Sequence, residues 1–377
     1  MRTKTYVAAL LIAIMAVIVL ASTFTFAHAE EISSSAASME VIESTTGRVL
    51  YSRNSNVHRP MASTTKICTA ITVIEHCDDL EKVVAVPSVA VGTEGSSIYL
   101  TCDEKVKIID LLYGLMLQSG NDCAVTLAVT VGGSIENFAT LMNETAAKAG
   151  AHDSHFVNPH GLHDDDHYTT AHDLALITAY AFNNEMFAKI VSTKTHIMHS
   201  EGREYPRTIV NKNKILSTYD GGDGVKTGYT KKAGRCLVSS AKRGDMRIIA
   251  VVLNCGPMFE ECSRLMDKAF GEYSMYKLAD PQSSECEIGV KAGKHESVPV
   301  SINREIYYPL KSEEKEKIQY RAILPNRVTA PLKKGDEIGS LEISLENQLL
   351  FNEKFYIMVD EPKPDLWDKI QDFAGEW

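Results

Sequence analysis

Apolar residues recur through the first two thirds of the chain mostly with the period of helices, and through the last third with the period of strands. From Ser63, the residues Ile67, Ala70, Ile71 and Ile74 fall three and four positions apart, as on one helix face. The run KIIDLLYGLMLQSGNDCAVTLAVTV is strongly apolar on both sides of Ser119-Gly120-Asn121, which predicts a turn between two buried helices. IENFATLMNETAAKAG follows as an amphipathic helix capped by Gly150, and DLALITAYAFNNE as another helix. Between them, HFVNPHGLHDDDHYTTAHD has the Asn, Pro, Gly and Asp content of a loop.

Strand patterns flank these helices. ASMEVIESTTGRVLYSR predicts two strands about a Thr-Thr-Gly turn. After Gly222, GVKTGYT, RCLVSSAKR and MRIIAVVLNC are short β-rich runs separated by Lys-Lys-Ala-Gly and Arg-Gly-Asp turns, and ECSRLMDKAFGEYSMY closes as a helix. The expected fold is α/β, an antiparallel sheet with helices packed on it, over residues 30–280. ADPQSSE (Ala279–Glu285) reads as a linker. Beyond it, alternation in ESVPVSINREIYYPL, KIQYRAILP and EIGSLEISLENQLLFNEKFYIM predicts a small all-β domain from Cys286 to Asp360. In the last stretch, 361–377, Leu366, Ile370, Phe373 and Trp377 share one helical face, with Trp367 beside it. Such a tail suits a membrane interface, although Asp365, Asp368, Asp372 and Glu376 outnumber Lys363 and Lys369 on its polar face.

The N-terminus reads as a leader. Arg2 and Lys4 precede an apolar run that ends in Ala27-His28-Ala29, a signal peptide over 1–29 with a mature chain beginning at Glu30. The remainder is then exported. At 377 residues, with 44% hydrophobic and 23% charged residues, the chain suffices for two domains with cores. A net charge of −10 argues against nucleic acid as a partner. Export and eight cysteines raise the question of disulfides, but Cys68, Cys123 and Cys255 sit in apolar runs and no C-x-x-C pair occurs. Mostly free thiols are expected.

Candidate chemistry begins at Ser63-Thr64-Thr65-Lys66. Alone, the pair reads as a helix cap followed by a surface lysine, and Ser-x-x-Lys recurs at Ser239, Ser274 and Ser312. Ser-x-Asn occurs at Ser52, Ser119 and Ser301, whereas Lys-Thr-Gly occurs once, at Lys226-Thr227-Gly228. One copy of each falls in the order 63, 119, 226, in helix, turn and strand contexts, the trio shared by β-lactamases and penicillin-binding proteins. A serine needs an adjacent base to become a nucleophile. Ser63 and Lys66, at i and i+3, share a helix face. Buried near a second cation such as Lys226, Lys66 would lose its proton near neutrality. The Ser63 backbone N–H and one from a passing strand can face a developing oxyanion, and Gly228 would let a substrate backbone approach.

The wider sequence resembles the D-alanyl-D-alanine carboxypeptidases, the low-molecular-mass penicillin-binding proteins. TTGRVLYSRNSNVHRPMASTTKICTA, LLYGLMLQSGNDCAVTLA, FVNPHGLHDDDHYTTAHDLAL, NKNKIL and DGVKTGYTKKAGRCLVSSAKR follow the family order, and TAPLKKGDEIGSLEI resembles its β-rich C-terminal domain. One departure is Thr101-Cys102-Asp103-Glu104, where the family often has glycine before the glutamate. The resemblance implies a transpeptidase/β-lactamase-like domain. It assigns Ser63 as nucleophile, Lys66 as its base and Ser119 as proton relay to the leaving amine. Asn121 would hold the substrate backbone, Lys226 and Thr227 its carboxylate, and the N–H groups of Ser63 and Tyr229 would form the oxyanion hole. The implied substrate is a peptidoglycan stem peptide ending in D-Ala-D-Ala, with β-lactams as covalent inhibitors and no cofactor.

Two rivals make different demands. A class A β-lactamase deacylates with a glutamate on the loop after Ser-x-Asn, where this chain has only aspartates, and carries no β domain. A non-catalytic β-lactam-sensing or wall-binding module predicts a ruined motif, and none is ruined. Half of the histidines lie between His152 and His172 beside Asp164, Asp165 and Asp166, but on an irregular loop without paired helical spacing, so no metal is expected. His167 and Asp173 are expected to pin that loop.

Overall fold

The structure is a computed structural model and describes residues 30–201, 203 and 205–367. The expected leader, 1–29, and the tail from residue 368 lie outside them. The chain forms two compact units that divide between Tyr273 and Ser274.

The first unit contains β1 (Glu30–Glu31), β2 (Ser38–Glu43), β3 (Val49–Arg53), β4 (Val83–Ala85), β5 (Lys105–Lys107), β6 (Thr195–Met198), β7 (Arg207–Val210), β8 (Gly222–Thr230), β9 (Gly234–Arg243) and β10 (Met246–Leu253). Its helices are α1 (Lys66–Glu75), α2 (Ile108–Leu117), α3 (Asn121–Gly132), α4 (Ile135–Lys148), α5 (Ala171–Phe182), α6 (Glu185–Ser192), α7 (Ile215–Thr218) and α8 (Met258–Glu272). The main sheet has the order β1-β3-β2-β10-β9-β8, antiparallel except where β1 joins β3. Its most apolar strand, β10, lies inside the sheet with α5 and α8 packed against it, which is why MRIIAVVL reads as a continuous run rather than an alternation. At the far edge lies β8, carrying Lys-Thr-Gly.

Local chemistry sets the helix starts. Ser134 Oγ accepts the Asn137 N–H at 3.1 Å and Thr170 Oγ1 that of Asp173 at 3.0 Å, caps worth about 1 kcal/mol each. Helix α1 is buried on every side from Lys66 to Val73, so it is the central helix of the core rather than a surface one.

The loop of residues 152–170 is pinned as expected. His167 Nε2 lies 2.8 Å from Thr65 Oγ1 and its Nδ1 accepts the Val157 N–H, while Asp173 Oδ2 accepts from Asp153 N and Ser154 Oγ at 2.7 Å each. Among the described residues, no group of three or more His, Cys, Asp or Glu is placed to hold a metal. All eight cysteines are free thiols. At the departure from the family pattern, Asp103 has φ +61°, a left-handed conformation that glycine suits and aspartate tolerates.

The second unit comprises β11 (Ser274–Ala279), β12 (Cys286–Lys291), β13 (Ser297–Ser301), β14 (Ile306–Leu310), β15 (Ile318–Ile323), β16 (Arg327–Thr329), β17 (Glu337–Leu345) and β18 (Gln348–Ile357). Six of these form one sheet, β15-β17-β18-β13-β12-β16, over a core that includes Val298, Val300, Ile343, Phe355 and Ile357. Because β11 pairs with β14, residues 274–279 belong with this unit, and the stretch read as a linker lies within it.

Candidate active site

Ser63 sits on a single 3-10 turn, Ala62–Thr65, immediately before α1. It caps nothing: neither this turn nor α1 has a side-chain cap. The turn is held by the Thr64 and Thr65 hydroxyls, which donate to the carbonyls of Met61 (2.7 Å) and Ala62 (2.8 Å). Ala62 has φ +51°, a conformation that costs an alanine about 1 kcal/mol or more. Two glycines press on this turn. A Cβ at Gly161 would lie 1.9 Å from the Ala62 oxygen, and one at Gly228 would lie 3.0 Å from Ser63 N and 3.1 Å from the Met61 oxygen. Gly228 was expected to make room for substrate. The space its missing side chain leaves is taken by the serine turn itself, so that glycine brings the β8 backbone against the nucleophile.

Lys66 is fully buried. Its Nζ lies 3.1 Å from Ser63 Oγ, 2.7 Å from Asn121 Oδ1 and 2.6 Å from the His160 carbonyl. Two of these partners can only accept, while the hydroxyl can donate or accept. A neutral amine, with two N–H donors and one lone pair, therefore satisfies the amide and carbonyl and turns its lone pair to the Ser63 hydroxyl. Burial first, and Lys226 second, hold the Lys66 pKa well below the ordinary lysine value. Lys226 is also buried, donates to the Thr227 carbonyl at 2.9 Å, and is lowered to about 7 by burial and by Lys212.

Asn121 is the first residue of α3. Its Oδ1 accepts from Lys66, its Nδ2 donates to the Glu94 carbonyl, and its N–H donates to the Ser96 carbonyl at 2.7 Å. In this geometry it joins the lysine to the loop of residues 94–96, with one lone pair and one N–H of its amide uncommitted. Ser119 lies in the preceding turn at φ +64°, nearly buried.

A cavity of about 300 Å³ opens over this constellation, with Ser63, Asn121 and Tyr229 in its lining. Ser119, Lys226 and Thr227 are outside the lining. The lining also contains Gly95, Ser96, His160 and Leu162, which the motifs did not flag. The cluster Gly92-Thr93-Glu94-Gly95-Ser96 carries turn chemistry that marks a loop, but nothing local says what it faces. Burial, then Lys66, lowers the His160 pKa to about 3, so its ring is neutral.

A serine hydroxyl against a buried, neutral-prone lysine, on a turn wedged beside a sheet edge, defines a serine hydrolase on a sheet-and-helix scaffold. A family model described as D-alanyl-D-alanine carboxypeptidase matches residues 24–256, and one described as Penicillin-binding protein 5, C-terminal domain, matches residues 273–363. The D-alanyl-D-alanine carboxypeptidase DacF of Bacillus subtilis is 31% identical over 355 residues, covering 92% of this chain and 91% of the relative. Penicillin binding protein 5 from Haemophilus influenzae is similar in structure, with TM-score 0.74 and 26% identity over 88% of this chain and 99% of that one. DacD from Francisella tularensis has TM-score 0.68 and 26% identity, covering 92% and 98%. The chain belongs to the D-alanyl-D-alanine carboxypeptidase family, serine peptidases with the penicillin-binding protein fold.

Proposed function

We propose that this enzyme is exported and removes the terminal D-alanine from peptidoglycan stem pentapeptides through a Ser63 acyl-enzyme. The observation that carries the reading is the buried Lys66 with its two fixed acceptors and the Ser63 hydroxyl at 3.1 Å. Lys66 takes the hydroxyl proton as Ser63 Oγ attacks the carbonyl carbon of the penultimate D-alanine. The N–H groups of Ser63 and Tyr229 receive the developing oxyanion. Lys66 then gives the Ser63 proton to Ser119, whose hydroxyl makes no hydrogen bond among the described residues, as Ser119 passes its own to the leaving amine, so both groups return to their starting state. The C–N bond breaks and D-alanine departs. Water then attacks the ester carbon as Lys66 takes its proton, the bond to Ser63 Oγ breaks, Lys66 returns the proton to that oxygen, and the shortened peptide leaves with a new carboxylate.

Substrate binding follows from the same groups. β8 is an edge strand, so its outer side can pair with a stem peptide. Lys226 and Thr227 bind the terminal carboxylate, and the free amide capacity of Asn121 holds the substrate backbone. A β-lactam presents its strained amide to the same serine and acylates it. The leader pattern of residues 1–29 supports action outside the cytoplasm. Leu366 and Trp367, each 73% exposed, support contact of the tail with a membrane surface.

The test compares wild type with Ser63→Ala. Wild type should release D-alanine from diacetyl-Lys-D-Ala-D-Ala and retain a fluorescent penicillin covalently, and both should vanish in the variant. A penicillin label without D-alanine release would point instead to a sensor, or to a β-lactamase if the label is then hydrolysed.

A further inference from the structure

Tyr99 has φ +60° and a side chain 82% exposed. The left-handed conformation costs a tyrosine about 1 kcal/mol or more, and the ring gains almost no burial in return. The surroundings enforce it. The Tyr99 N–H donates to Ser97 Oγ at 2.8 Å, and Ser97 Oγ donates to Asp122 Oδ2 at 2.6 Å. The flanking N–H groups of Ile98 and Leu100 donate to the same carboxylate oxygen at 3.1 Å each. From the other side, Arg207 donates to the carbonyls of Ile98 and Tyr99 at 3.0 Å each, and is itself held by the buried Glu104. Asp122 adjoins Asn121, and Ser96 of the same loop lines the cavity. The groups that hold this loop thus also keep an aromatic ring exposed to solvent three residues beyond Ser96 of the cavity wall.

We propose that Tyr99 is a docking platform for a pyranose ring of the glycan strand that carries the stem peptide, a reading that rests on the carboxypeptidase function above. Reach favours the sugar. Three residues from Ser96 span at most about 11 Å. About four extended residues, some 13 Å, separate the scissile carbonyl from the sugar. The sugar end of the substrate therefore falls within the same range of the cavity as the Tyr99 ring, while the D-alanines occupy the cavity itself. An exposed tyrosine offers a flat apolar face and a polar tip at low entropic cost, which matches the C–H face and hydroxyl rim of a pyranose. A peptide main chain would seek a strand edge, which β8 already supplies.

The test measures kcat/KM on a disaccharide-pentapeptide, on the same pentapeptide without sugar, and on diacetyl-Lys-D-Ala-D-Ala. Tyr99→Asn relieves the backbone, since asparagine accepts the left-handed region. It should lower the ratio of disaccharide-pentapeptide to free pentapeptide about tenfold, through KM, without lowering Tm. Tyr99→Trp should keep the ratio. An unchanged ratio overturns the proposal, as does a loss shared equally by the sugar-free pentapeptide, which would mean that the ring meets the stem. A drop in Tm with equal losses on all three substrates overturns it in favour of a structural role. If wild type releases D-alanine from none of them, the carboxypeptidase reading fails by itself. Saturation-transfer NMR with a peptide-free N-acetylglucosamine–N-acetylmuramic acid tetrasaccharide then decides Tyr99: signal in wild type lost in Tyr99→Asn sustains the platform, and equal or absent signals overturn it.

Discussion

Asn121 Oδ1 accepts a hydrogen bond from Lys66 Nζ at 2.7 Å, although 55 positions separate the two residues. The bond fixes the direction of the amine proposed to take the Ser63 proton. Asn121→Ala should lower the rate of penicillin acylation by about a hundredfold, since small misplacements of reacting groups cost that much. Asn121→Asp places a carboxylate against the amine and raises its pKa. The base must be neutral, so the acid limb of the acylation profile should move to higher pH, as stopped-flow fluorescence across pH would read. A limb that stays in place would mean that Lys66 is not the group titrating.

The buried Lys226 carries a stability cost. Its folded pKa of about 7 lies below the ordinary lysine value of 10.5. The unfolded chain therefore binds the proton more readily, and wild-type stability should rise with pH between about 7 and 10.5. Lys226→Met should be inactive yet melt higher than wild type at pH 7, with the difference shrinking toward pH 10. Calorimetry at several pH values checks both the sign and the window.

Gly228→Ala tests the wedge between β8 and the serine turn. The added methyl would meet Ser63 N at 3.0 Å and the Met61 oxygen at 3.1 Å, both backbone atoms that cannot rotate away. Acylation should fall by about ten- to a hundredfold while circular dichroism stays that of wild type. Full activity would show that the turn moves freely.

The buried Glu104 and the half-buried Arg207 form an ion pair that anchors the loop bearing Tyr99. Burial alone would raise the Glu104 pKa, but hydrogen bonds from Arg207 and Ser200 bring it from 4.5 to about 2. A depressed carboxylate stabilises the fold above its unfolded pKa, and this contribution should be lost as pH falls from about 4.5 to about 2. Arg207→Leu strands the carboxylate and should cost about 3 kcal/mol or more in urea unfolding at pH 7. Glu104→Gln/Arg207→Leu should recover part of that loss.

Much of the first unit is legible from periodicity. The 3.6 period of α1 and the apolar runs about Ser119 mark helices because those faces must be buried. The three motifs are legible because their chemistry needs a hydroxyl, an amine and an amide, and few residue types supply them. The wall of the cavity is not legible. His160 contributes a backbone carbonyl, which every residue has, and Gly95 and Ser96 contribute position rather than chemistry. Asp122 and Arg207 look like any charged residues until the fold sets both against the loop of residues 97–100.

The residue pattern by itself determined the order of helices and strands, the break toward a β-rich C-terminal part, and the residue types available for acyl transfer. Only the tertiary structure decided that Ser63 lies on a 3-10 turn without capping a helix, that residues 274–279 go with the second unit, and that Gly228 serves the serine turn. It also decided that Lys66 meets two acceptors from residues 55 and 94 positions away. The physical reason is range. Periodicity and turn chemistry act between neighbours along the chain, whereas burial of a lysine, and with it the loss of its proton, depends on which distant segments close over it.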